Sequence, residues 1–445
     1  MMLFFALLYT RGLWGRIGVP SQAVEAVLSV LLVVVLLSER APLSRLAPGF
    51  LFVWFYFGWS VSACIHNGEG VMRGFLYSRY LVAAYIMFWT VWNSTFTRKQ
   101  LSQINMTIAA VFLLQVAAAL VAWLVLGEQV EANVGTLGYE GGAIATVFPM
   151  FAFSCLFAFF MYYKKLVLLI LALSFFLVGH ASGKLAIYYF IPLMLVLGLV
   201  LYAAAEGLPS AIKRGLVTGA LGICALPFLL FLLVHSPRTE KLQDEASVRD
   251  VIASFLDLSR NTALENKSWY TSSRNSTSMR VIQETFQRSP SVFLFGQGTH
   301  TVFERDVYDE YGIIYGLVGW GTDALAVGWP AMFAHVGFYI YLFHLLLKAN
   351  QRLSWGIYWK SILLTAQLGF FVFLIDYYFY SNQFTVGGWV SSVYLYFLAV
   401  LLAPQYQKAL CIHQTASHPP ASNLRRWADR RESPCRISWP TPTRS

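Results

Sequence analysis

Residues 143–179 read "AIATVFPMFAFSCLFAFFMYYKKLVLLILALSFFLVG". Two unbroken apolar runs meet at Lys164-Lys165. A run of about 20 apolar residues is what an α-helix needs to cross ~30 Å of hydrocarbon. Strands of a membrane barrel would alternate polar and apolar at every second residue, and these runs do not. The stretch therefore predicts two spanning helices joined by a tight basic turn.

The same pattern recurs on both sides of it. Further runs cover Ser21–Leu37, Gly49–His66, Phe75–Trp92, Ile104–Leu126, Leu185–Ala205, Gly215–Val234, Ala324–Leu347, Gly356–Tyr378 and Val386–Ala403. The 445-residue chain is 57% hydrophobic and only 12% charged, against roughly 25% charged in a soluble globule. The expected fold is an all-α, polytopic transmembrane helical bundle of about 11–12 spans, with one large extracytoplasmic loop carrying short helices. Pro149, Pro192, Pro227 and Pro330 fall inside spans, where neighbouring helices can satisfy the freed carbonyls. Met1–Tyr9 is apolar but too short to span. It reads either as the stub of a helix starting upstream or as a surface segment. The five cysteines form no CxxC, so neither a disulfide framework nor a zinc site is expected, and no metal or cofactor.

Orientation follows from the basic residues. Arg40/Arg45, Arg98/Lys99, Lys164/Lys165, Lys213/Arg214 and Lys348/Arg352 sit after every second span, whereas the loop 127–142 holds three glutamates and no lysine or arginine. The positive-inside rule then places the chain start outside and the tail in the cytoplasm. Four regions result: a bundle at 1–234, a large outer loop at 235–323, a second set of spanning helices at 324–403, and a basic tail at 404–445. The tail has seven lysines and arginines against two acids and no apolar period, which predicts disorder. The outer loop is near neutral, so it is not a polybasic lipid-binding patch. Nothing suggests a nucleic-acid partner.

A loop this long is expected to be functional. Helical spacing marks 246–260 ("ASVRDVIASFLDLSR") and Thr277–Arg288. Ser289-Pro290 is expected to stop the second of these, ahead of an apolar run Val292–Phe295 and the turn Gly296-Gln297-Gly298-Thr299-His300. Two glycines there let the backbone approach another surface closely. The apolar stretch 311–321 is expected to dip back into the bundle. Arg274 and Arg280 flank a hydroxyl-rich helix start, where anions sit well.

Three stretches carry a resemblance to a known family: "HASGKLAIYYFIPLMLVLGLVL" (180–201), "SSRNSTSMRVIQETFQRSPSVFLFGQGTH" (272–300) and "TDALAVGWPAMFAHVGFYIYLF" (322–343). Together with the helix count and the single big outer loop, they resemble the bacterial O-antigen polymerase and ligase superfamily, which includes the Wzy-type exopolysaccharide polymerases. Lys184 stands where that family often has arginine. Thr322-Asp323 stands where many members, ligases above all, carry His-Asn, which favours polymerase over ligase. The resemblance implies a metal-independent glycosyltransferase of the bacterial inner membrane, with its large loop in the periplasm. Its substrate would be an oligosaccharide on undecaprenyl diphosphate. Its partners would be membrane lipid and the chain-length regulator and flippase of the same pathway.

Such chemistry needs cations for the departing diphosphate and a base for the acceptor hydroxyl. Arg274, Arg280 and Lys184 are the diphosphate candidates, Asp323 and His300 the catalytic ones. An acid where the chain re-enters the membrane is costly unless partnered. Asp376, with Tyr378 beside it, is the candidate for binding sugar. The competing functions are an O-antigen ligase acting on lipid A core, a transporter or flippase of lipid-linked glycans, and a transferase using polyprenyl monophosphate sugars with Glu69 as its catalytic acid.

Overall fold

The computed structural model describes residues 1–38, 47–125, 135–137, 141–184, 186–234, 289–299, 318–350, 356–380 and 389–403. Among these the chain is all-α, with no strand. Among the described residues ten helices precede the large loop: α1 Met2–Tyr9, α2 Arg11–Arg16, α3 Ser21–Ser38, α4 Phe50–His66, α5 Val71–Asn93, α6 Arg98–Leu124, α7 Gly141–Tyr163, α8 Leu166–Ala181, α9 Ile187–Glu206 and α10 Leu208–Val234. Within and after the loop come α11 Pro290–Phe295, α12 Gly319–Ala326, α13 Trp329–Asn350, α14 Ile357–Ile375 and α15 Trp389–Leu402. Among the described residues five segments are long and apolar enough to cross a membrane: Arg98–Leu124, Ile144–Tyr163, Ile187–Glu206, Trp329–Ala349 and Ile357–Phe379. The protein is a polytopic helical membrane protein.

Local chemistry sets the helix ends. Thr97 and Gln100 close a capping box at the start of α6, satisfying two amides that the first turn would leave bare. Between α7 and α8, Lys164 takes a left-handed conformation at φ 62°. That lets the chain reverse within the two lysines that the sequence marked as a turn. The structure puts α7 at the centre: 94% of its apolar window is buried, against 28% for α9. Helices α8, α9 and α14 pack around α7, and Phe148, Phe151, Phe153 and Phe157 fill the space between them. On the far side of the bundle α4 pairs with α5, α13 lies on α4, and α15 lies on α5. The α4–α5 hairpin is unusually close. A Cβ on Gly74 would stand 2.5 Å from the Val61 Cα, so the two backbones touch there.

Three local expectations are corrected. Met1–Tyr9 is not a surface segment: it forms α1, packs on α6, and buries Phe4, Phe5, Leu8 and Tyr9. Gln115 of α6 donates to the Tyr9 carbonyl at 2.9 Å and accepts from the Thr136 amide at 2.8 Å, fastening α1 and the short turn Gly135–Leu137 to the bundle. Ser289-Pro290 starts a helix rather than only stopping one. Ser289 Oγ accepts from the Val292 amide, and Pro290 occupies the first turn of α11, where its missing N–H costs nothing. The helix expected before it lies outside the described residues. Finally, the span expected from Ala324 begins at Trp329. The preceding residues form a separate short helix, α12, which straddles the expected border between loop and bundle, and Gly328 at φ 88° makes the elbow between α12 and α13.

Candidate functional site

Asp323 lies in the middle of α12 and is fully buried, at 0% exposure. Four side chains from four other elements converge on its carboxylate. Tyr56 of α4 and Tyr77 of α5 donate to Oδ1 at 2.8 and 2.7 Å. His335 of α13 meets Oδ2 through Nδ1 at 2.8 Å, and Tyr377, just past α14, donates to Oδ2 at 3.0 Å. A carboxylate offers about four lone-pair sites, and each oxygen here receives two bonds. The rings also pack on one another. Tyr56 stacks near-parallel on Tyr77 (20°), and His335 stacks on Tyr339 at 5.1 Å and meets Tyr377 at 4.4 Å. A buried charge in so apolar a setting is tolerated only with such pairing.

Helix α12 is itself held from above by the loop. The last carbonyls of a helix lack intrahelical partners. Here Leu325 and Ala326 receive the amides of Gln297 and Gly298 at 2.7 and 3.2 Å. The bundle holds the same turn by three more groups. Trp59 Nε1 donates to the Leu294 carbonyl at 2.9 Å, and Asn67 Nδ2 to the Phe295 carbonyl at 3.1 Å. Glu69 Oε2 accepts from both the amide and the hydroxyl of Thr299, at 2.9 and 2.7 Å. The glycines of the turn are needed for contact. A Cβ on Gly296 would lie 2.5 Å from the Leu325 oxygen, and one on Gly298 2.5 Å from Glu69 Oε1. The close approach expected of Gly296-Gln297-Gly298 is thus made, onto α12 and onto the α4–α5 loop.

The other candidates fall in different places. Lys184 is buried, in the turn after α8 rather than in α12 or its cap. Its amide bonds to the Gly179 carbonyl and that of Gly183 to His180, with Gly183 at φ 66°. This is a Schellman cap, so the Ser-Gly-Lys sequence has a helix-ending role of its own. Asp376 and Tyr378 share the π-helical turn Asp376–Tyr380. They do not line one surface: Asp376 is buried, whereas Tyr378 is 53% exposed against Phe379. Neighbours two apart on a helical turn point to opposite sides. His300, Arg274 and Arg280 lie outside the described residues.

Of the sequence candidates, Asp323 is the one at which these side chains meet, whereas His335, Tyr56 and Tyr77 were not singled out. His335 carried a usable signal, since an ionisable residue inside a span is a functional suspect by default. Tyr56 and Tyr77 carried none, being two of 24 tyrosines. The apolar groove lined by Phe57, Val61, Met72 and Phe75 contains no candidate residue. Among the described residues no group of histidine, cysteine and acid side chains is arranged to hold a metal.

No protein-family model matches the chain, and no curated protein matches it.

Proposed function

We propose that the chain is a glycosyltransferase of the bacterial inner membrane that joins oligosaccharide units carried on undecaprenyl diphosphate, lengthening a polysaccharide at the periplasmic face. The observation that carries this reading is the seating of Ser289–Thr299 on α12, directly beside a buried carboxylate. A transporter built on rocking halves has no need of a folded cap at one end, whereas a transferase uses one to exclude water from the reacting sugar. The resemblance in 180–201, 272–300 and 322–343 supports the same choice, and the alternation of basic loops supports the periplasmic placement.

In this reading Lys184, Arg274 and Arg280 stabilise the departing diphosphate. The Asp323–His335 pair receives the proton of the acceptor hydroxyl. With two hydrogen-bond partners already on each carboxylate oxygen, the acceptor has to displace one tyrosine hydroxyl as it arrives. Asp376 and Tyr378 then serve at different points rather than as one sugar site.

A second reading, a proton-coupled carrier of lipid-linked glycans, is favoured by one observation: an acid and a histidine paired inside the bundle at 0% side-chain exposure, the composition of proton relays in pumps. Deleting the gene in its host separates the two. Single repeat units on the carrier at the outer face, with no long polymer, are the result expected of a polymerase. Repeat units retained at the cytoplasmic face would replace it with the carrier. Full-length polymer unattached to lipid A core would replace it with the ligase.

A further inference from the structure

Glu69 is an acid in the short loop after α4, and the network around Asp323 does not include it. Its position gives it a different task. Oε2 takes both donors of Thr299, the amide at 2.9 Å and the hydroxyl at 2.7 Å, and hydrogen bonds to an ionised acceptor are the stronger kind. Thr299 directly follows Gly298, whose amide holds the Ala326 carbonyl at 3.2 Å, next to the Gln297 amide on Leu325 at 2.7 Å. Leu325 and Ala326 are the last residues of α12, two and three positions beyond Asp323. No slack exists along this path: the backbone of Gly298 is so near Glu69 Oε1 that a methyl group would not fit, and the same holds for Gly328 against the Leu294 carbonyl, 2.0 Å from a would-be Cβ.

We infer that Glu69 is a positioning residue: by clamping Thr299 it fixes the Gly296–Gly298 turn, and through that turn it holds α12 at the depth where Asp323 reaches Tyr56, Tyr77, Tyr377 and His335. This rests on the reading of Asp323 as part of the proton-accepting pair. It opposes the alternative in which Glu69 is itself a catalytic acid. A misplacement of about 1 Å costs up to roughly 10²-fold in rate, so a clamp remote from the chemistry controls turnover rather than substrate affinity.

The structure supplies a way to replace the clamp. Cys64 Sγ stands 4.0 Å from Thr299 Oγ1, so Thr299→Cys places a second thiol beside a native one. The test compares Glu69→Ala with Glu69→Ala/Thr299→Cys, oxidised and reduced, in membranes supplied with carrier-linked repeat units. Mass spectrometry reports the Cys64–299 bond. Glu69→Ala is expected to lower kcat for polymer formation roughly 10–100-fold with KM unchanged. The oxidised double variant is expected to recover it, and the reduced one is not. Infrared spectra of purified protein with carboxyl-labelled aspartate provide a second readout. There the Asp323 band, identified by its loss in Asp323→Asn, is expected to shift in Glu69→Ala and return on oxidation. An Asp323 band unmoved by Glu69→Ala overturns the proposal. So does a cross-linked but inactive protein, which would make Glu69 a catalytic acid, and so does failure of the bond to form in Thr299→Cys with Glu69 intact, because Thr299 would then not sit on Cys64. Should the unmodified chain make no polymer, the enzyme reading falls while the infrared comparison still decides the clamp.

Discussion

Tyr56 and Tyr77 come from consecutive helices and donate to the same oxygen, Asp323 Oδ1, at 2.8 and 2.7 Å with their rings 20° from parallel. One acceptor atom thus ties α4, α5 and α12 together. Removing either hydroxyl leaves the other in place, so the two are expected to compensate for each other. Tyr56→Phe and Tyr77→Phe should each cost about 1.5–3 kcal/mol, the range for a bond to a charged group. The double variant should lose more than the sum, because it strips one oxygen bare in a buried site. A double-mutant cycle on thermal unfolding in detergent measures the coupling. Strict additivity would mean that the two hydroxyls do not share Oδ1.

Asp323 itself should show a graded response. Asn keeps the volume but offers a single acceptor oxygen, and its amide nitrogen would face donors. Asp323→Asn is expected to destabilise by about 3 kcal/mol, within the range for breaking a buried charged pair. Asp323→Ala should cost more, since it adds a cavity. Polymer formation should vanish in both. Wild-type yield in Asp323→Asn at full folding would remove Asp323 from the mechanism.

The elbow at Gly328 and the cap at Gly183 form a matched comparison. Both have positive φ, 88° and 66°, but a Cβ at Gly328 would meet the Leu294 carbonyl at 2.0 Å whereas one at Gly183 meets nothing within 4 Å. Gly183→Ala should therefore cost only the left-handed strain of about 1 kcal/mol, whereas Gly328→Ala should also push α11 off the elbow. Limited proteolysis between residues 289 and 299 reads the difference: faster cleavage in Gly328→Ala, unchanged cleavage in Gly183→Ala.

Gln115→Leu fills similar space but removes the bonds to the Tyr9 carbonyl and the Thr136 amide. The Tyr9 carbonyl keeps the Thr136 hydroxyl at 2.6 Å, but the buried Thr136 amide loses its acceptor, which costs about 1–3 kcal/mol. The turn Gly135–Leu137 should come free of α6. A cysteine introduced at Thr136, which is 4% exposed, should react with a water-soluble maleimide in the Gln115→Leu background and be protected otherwise.

The sequence made the helices easy to read because the physics is local. Twenty apolar residues must bury their backbone polar groups in a helix wherever the chain then goes, and Lys164-Lys165 can turn only at an interface. Asp323 was legible for a similar reason, since an acid at a membrane edge is conspicuous alone. Its tyrosine partners on α4 and α5 were not, because Tyr56 lies 267 residues away and Tyr77 246. Pairing over such separations is a property of the fold and leaves no mark in spacing. Glu69 and Thr299, 230 residues apart, met for the same reason. The split of 319–350 into α12 and α13 was missed because hydropathy runs on smoothly through Val327 and Gly328, where only the backbone angle changes.

The contact at Gly74 has a consequence for motion. Two helices whose main chains touch have no side-chain cushion over which to slide, so the α4–α5 hairpin travels as a single strut carrying Tyr56, Tyr77 and Glu69 with it. A strut of this kind sets the spacing of the Tyr56 and Tyr77 hydroxyls on Asp323 and, through Glu69, the height of the turn that lies on α12.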